Sequence, residues 1–88
     1  MAEDAIARLR ELLTAVDERL VAAINERLRL VEELKRVKDE HGVAFLDPAR
    51  EQWMLDHLTA ENAGPLTADG LREIYGELLA LTKRELGR

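Results

Sequence analysis

Apolar residues recur at alternating three- and four-residue steps through the first forty positions: Ile6, Leu9, Leu13, Val16, Leu20, Ala23, then Leu30, Leu34 and Val37. That spacing marks a helix with one apolar face, and here it holds over roughly five heptads, as in helices that associate into bundles. No Gly or Pro interrupts the stretch from Met1 to His41. The pattern predicts a helix over about 4–41. Asp4 suits the positive end of its dipole, and Gly42 offers a left-handed C-cap. Asp47-Pro48 reads as an N-cap followed by proline at the first helical position, opening a second helix over about 48–61 with Met54, Leu55 and Leu58 inward. Asn62-Ala63-Gly64-Pro65 breaks it. Thr67 then caps a third helix, about 68–86, whose inner stripe is Leu71, Ile74, Tyr75, Leu78, Leu81 and Thr82. The expected fold is all-α, a single domain over residues 1–88 with one long and two shorter helices.

Length turns this pattern into a statement about assembly. A helix of about 38 residues at 1.5 Å per residue would extend roughly 57 Å. The remaining chain is too short to cover it. A domain of this size buries only about 60–65% of its unfolded surface. The chain has no Cys, so disulfides cannot supplement the core. A second copy can, and a homodimer is expected. Composition agrees with a helical bundle: 47% of residues are apolar but only 3% aromatic.

Charge narrows the partners. A formal net charge of −5 disfavours nucleic acid and anionic membranes. No apolar run approaches the roughly 20 residues of a membrane span. The acidic start Met1-Ala2-Glu3-Asp4 lacks the layout of a signal peptide, so the expected location is the cytoplasm. Two scattered histidines and no thiol give no expected metal site.

Several cations of the first helix have an acid three or four residues away, as solvated helix faces do. Arg29 has Glu26, Glu32 and Glu33; Lys35 has Glu32 and Asp39; Arg36 has four such acids. Three cations differ. At those offsets Arg10 meets Ile6, Ala7, Leu13 and Thr14; Arg27 meets Ala23, Ile24, Leu30 and Val31; Lys38 meets Leu34, Lys35, His41 and Gly42. Arg27 stands within the apolar stripe, while Arg10 and Lys38 run beside it at heptad spacing with Asp17, Ile24 and Val31. Arg19 also has no acid at these offsets and reads as a snorkelling side chain. Burying an uncompensated cation costs several kcal/mol in effective terms, so an anion is expected from elsewhere. Asp17, Glu51 or another helix is one source, and a small anionic ligand is the other. Arg27 and Lys38, three helical turns apart, share a face about 16 Å apart along the axis. Arg10 lies about 25 Å from Arg27 and is rotated by roughly 100°, so it reaches a common ligand only from an antiparallel partner chain. Glu51, with no base at these offsets, is either a carboxylate at the rim of such a site or an acid favoured by the helix dipole.

These residues resemble a known family, the all-helical bacterial chorismate mutases. The likeness is carried by Leu9-Arg10-Glu11, Val16-Asp17, Glu26-Arg27 and Lys38, and by Gly42-Val43-Ala44-Phe45-Leu46-Asp47-Pro48-Ala49-Arg50-Glu51. The stretch from Gly42 to Glu51 and Gly64-Pro65-Leu66 look most like mutase domains attached to DAHP synthase in some bacteria. The resemblance implies an intertwined homodimeric helical bundle with two sites built from both chains. It implies a cofactor-independent Claisen rearrangement of chorismate to prephenate, in phenylalanine and tyrosine biosynthesis. By position, Arg10 of the partner chain and Arg27 would hold the carboxylates of the dianion. Lys38 would bind a carboxylate and the ether oxygen. Glu51 would accept the ring hydroxyl, helped by backbone at Asp47. Arg50 would be an auxiliary cation, and Thr82 a hydroxyl near a carboxylate. Four residues after Thr82 many members carry a glutamine that donates to the ether oxygen; this chain has Leu86. That departure, with the short charged C-terminus Lys83-Arg84-Glu85-Leu86-Gly87-Arg88, keeps a second reading in view: a domain of the same fold that senses chorismate or prephenate and regulates an attached or associated DAHP synthase. A structural helical dimerisation domain is a third, which explains the apolar seam but not the cations that have no acid nearby.

Overall fold

A computed structural model describes residues 1–87. Three helices follow one another: α1 (Ala2–Glu40), α2 (Pro48–Glu61) and α3 (Ala68–Leu86). The chain divides into two compact units, one ending at Leu30 and one beginning at Val31.

The first unit is helical from Ala2. It starts two residues before the expected Asp4, and the N-terminal ammonium lies 3.1 Å from the Asp4 carboxylate. Glu3 and Asp4 place negative charge where the exposed N–H groups of the first turn favour it. α1 buries none of its residues. The side chains of Ile6, Leu9, Leu13, Val16 and Leu20 remain 47–60% exposed. This unit therefore carries an apolar face with no cover.

In the second unit the end of α1 is a Schellman motif. Gly42 takes φ +66°, a conformation that side chains disfavour. Val43 N–H then reaches back to the Lys38 carbonyl at 2.8 Å, and Gly42 N–H to the Asp39 carbonyl at 3.3 Å. α2 begins on its cap: Asp47 accepts from Arg50 N–H at 3.0 Å, and Pro48 fills the first helical position. It ends at Asn62, whose side chain accepts from Gly64 N–H at 3.0 Å and donates to the Leu66 carbonyl at 2.7 Å, tying the turn to the approach of α3. The Thr67 hydroxyl accepts from Gly70 N–H at 3.0 Å and starts α3.

α2 packs on α3. Among the described residues only Leu71 and Thr82 are buried outright, and Met54, Leu55, Leu58, Tyr75, Leu78 and Leu81 are half-buried. One member of the expected inner stripe departs from it. Ile74 is 56% exposed, because two short helices cover a narrower arc of α3 than its apolar residues occupy.

Candidate active site

Lys38 stands in the last turn of α1, and the Schellman turn brings the connector back over it. Its Nζ donates to the Phe45 carbonyl at 3.3 Å. Lys35, one turn earlier, places its ammonium 5.8 Å from the centre of the Phe45 ring. The connector thus satisfies Lys38 with a carbonyl dipole, not with a carboxylate. A carbonyl at 3.3 Å is a weak neutral acceptor that a charged oxygen outcompetes.

Asp47 and Pro48 fix where α2 begins, and the next two residues diverge. Adjacent positions on a helix point about 100° apart. Arg50 turns to the outer face, where its guanidinium carbon lies 4.1 Å from the centre of the Trp53 ring. Trp53 in turn stacks on His57, with centroids 4.7 Å apart and planes inclined by 9°. Residues 50, 53 and 57 form one column, and its cation–π contact contributes about 0.5–1 kcal/mol at such an exposed place.

Glu51 turns the other way, toward α3. Lys83 Nζ lies 2.9 Å from Oε1 and 3.2 Å from Oε2, so both carboxylate oxygens face one ammonium. The preceding residue, Thr82, is buried and donates to the Leu78 carbonyl at 2.7 Å, one turn back on its own helix. Leu86 is half-buried one turn further on. The structure therefore brings Glu51 to the part of α3 that carries Thr82, by way of a residue not among those singled out from the sequence.

In the first unit Arg10 is exposed, and its guanidinium meets no carboxylate among the described residues; its backbone carbonyl accepts from the Thr14 hydroxyl at 2.9 Å. Arg27 is half-buried and takes part in an interaction within the single chain. Glu51, expected as one source of a counter-anion for these cations, pairs with Lys83. Two surface depressions lie along α1, one lined by Glu32, Lys35, Arg36, Asp39 and Glu40, the other by Thr14, Asp17, Glu18 and Val21. Neither includes an expected site residue.

Two residues beside the candidates escaped the sequence reading. Lys83 gives no local signal, because its partner is 32 positions away. Trp53 did give one: a cation three residues before it and an imidazole four after it are helical neighbours. Among the described residues no group of three or more His, Asp or Glu side chains is placed to hold a metal ion. Nor is any helix long and apolar enough to cross a membrane.

Comparison with known proteins gives these positions a context. Residues 9–85 match the family chorismate mutase type II. The fold is similar to that of chorismate mutase (form II) from Thermus thermophilus, with a TM-score of 0.89 and 35% identity, covering 94% of this chain and 94% of that one. The bifunctional chorismate mutase/prephenate dehydratase of Stutzerimonas stutzeri is 32% identical over 82 residues, 88% of this chain and 22% of that protein. The Pseudomonas aeruginosa protein of the same name is 30% identical over 83 residues, 89% of this chain and 23% of that protein. The chain thus spans less than a quarter of the length of these two curated relatives. The resemblance to mutase domains joined to DAHP synthase is corrected to this extent: the relatives described above are a mutase and two mutase–dehydratases, not synthase-linked proteins. With the family matched over most of its length and the fold shared with a solved mutase, the chain belongs to the type II chorismate mutase family.

Proposed function

We propose that this chain converts chorismate to prephenate by an intramolecular Claisen rearrangement, as one mutase domain over residues 1–88 acting in the cytoplasm. The observation that carries the reading is the family match over residues 9–85. The reaction needs no general base. Catalysis requires that the enolpyruvyl arm be held over the ring and that charge developing on the ether oxygen be met by fixed donors. Arg27 and the Arg10 of a second copy bind the two carboxylates. Lys38 exchanges the Phe45 carbonyl for a substrate carboxylate and the ether oxygen. Glu51 accepts the ring hydroxyl with help from backbone at Asp47. Arg50 adds positive charge, and Thr82 lies beside a carboxylate.

The uncovered face of α1 supports the homodimer. Covering the exposed half of a Leu, Ile or Val side chain contributes about 1 kcal/mol. Ile6, Leu9, Leu13, Val16 and Leu20 offer five such side chains in the first unit alone. An intertwined pair of α1 helices covers them and brings Arg10 to the partner's site. An attached or associated DAHP synthase rests on the stretches Gly42 to Glu51 and Gly64-Pro65-Leu66 alone, whereas the names of the two curated relatives join the mutase to a prephenate dehydratase.

Leu86 favours a second reading, a weakly catalytic or non-catalytic domain that binds chorismate or prephenate and regulates a synthase. Following chorismate loss by absorbance decides between the two. Turnover supports the mutase; binding without turnover selects the sensing domain. Neither binding nor turnover overturns both and leaves a structural dimerisation domain.

A further inference from the structure

Lys83 has no role among the residues carried over by position, yet it makes the ion pair that joins α2 to α3. Its backbone is held on both sides. Thr82, immediately before it, is buried, and the Lys83 carbonyl accepts from Gly87 N–H at 2.7 Å at the C-cap of α3. The ammonium faces both Glu51 oxygens at 2.9 and 3.2 Å. A pair this exposed, with side chains 43% and 31% accessible, contributes little to stability. Orientation is another matter. An acceptor must place its oxygen about 2.6–3.2 Å from the hydroxyl it receives, and a glutamate turning freely about three torsions rarely does. A carboxylate has about four lone-pair sites, so one bound ammonium leaves acceptor capacity for a hydroxyl.

We propose that Lys83 is a positioning residue for the rearrangement: its ammonium holds the Glu51 carboxylate in the orientation that accepts the substrate's ring hydroxyl. This rests on the mutase reading above. The ring hydroxyl is not on the breaking or forming bond, so its contact is about as strong in the ground state as in the transition state. Its loss therefore raises KM and spares kcat.

Steady-state kinetics of the full chain test this with Lys83→Met, Lys83→Arg, Glu51→Gln and the Lys83→Met/Glu51→Gln double variant, each checked for helicity. The expected result is a KM for chorismate raised about tenfold in Lys83→Met, with kcat within about twofold of the unaltered chain. Lys83→Arg restores KM, and Lys83→Met adds nothing in the Glu51→Gln background. If Lys83→Met loses helicity, Lys83→Gln is read in its place. Unaltered KM in the single variant, or costs that multiply in the double variant, would overturn the proposal. Absence of turnover in the unaltered chain is a different result; it overturns the mutase reading and this inference with it.

Discussion

The two units of this chain solve the same problem differently. From Ala2 to Leu30 there is one uninterrupted helix whose apolar stripe is largely uncovered: Ile6, Leu9, Leu13, Val16 and Leu20 stay exposed, while Ile24 and Leu28 are half-buried. From Val31 onward, three caps and two tight turns fold α2 onto α3 and bury Leu71 and Thr82 between half-buried neighbours. The second unit closes on itself through local rules. The first does not: its periodicity is regular, but most of its stripe stays exposed. The difference teaches why expected site residues occur in both. The second unit carries the candidates Lys38, Glu51 and Thr82 on capped elements, whereas the first carries Arg10 on an exposed face that the proposed homodimer would cover.

The largest expected effect strikes that contrast directly. Leu13→Glu with Leu20→Glu places two charges in the uncovered stripe and should abolish the dimer and, with it, most helicity. Sedimentation and circular dichroism check this; a variant that stays dimeric and helical would mean that the stripe is not the interface. Next come Arg27→Ala and Lys38→Ala, one from each unit. Each should lower kcat by about 10²–10³ while the dimer persists, the usual cost of losing a donor aimed at developing charge. Equal rates in either variant would remove that residue from the site.

The smallest effect concerns the outer face of α2. Trp53 is the one tryptophan of the chain, so its emission reports the Arg50 contact without interference. Arg50→Ala should shift that emission and lower kcat/KM only a few-fold, as suits an auxiliary cation at a contact of about 0.5–1 kcal/mol. An unchanged spectrum would show that the stack is not populated in solution.

What the sequence made legible follows the range of each interaction. Asp47-Pro48, Thr67 and Gly42 could be read because a cap acts within four residues of itself, and each occupies its expected place. The alternating stripe of α1 was legible for the same reason. Ile74 was misplaced because periodicity gives an apolar face but not how wide a neighbour covers it. Glu51 looked solitary because its partner lies on another helix, a fact that exists only after α2 meets α3. The Arg50–Trp53–His57 column was within reach of sequence reasoning. An acid at helical spacing is not the sole partner for a guanidinium; an aromatic face three residues on is another.

The central claim is that one site draws on two chains, and complementation tests it most directly. Arg10→Ala and Arg27→Ala chains are each expected to be nearly inactive alone. After unfolding and refolding together, half of the dimers are hybrids, and each hybrid has one site with both arginines intact. Activity should recover to about a quarter of that of the unaltered protein. Recovery of that size would support the shared site; no recovery, with hybrids demonstrated by mass spectrometry, would contradict it.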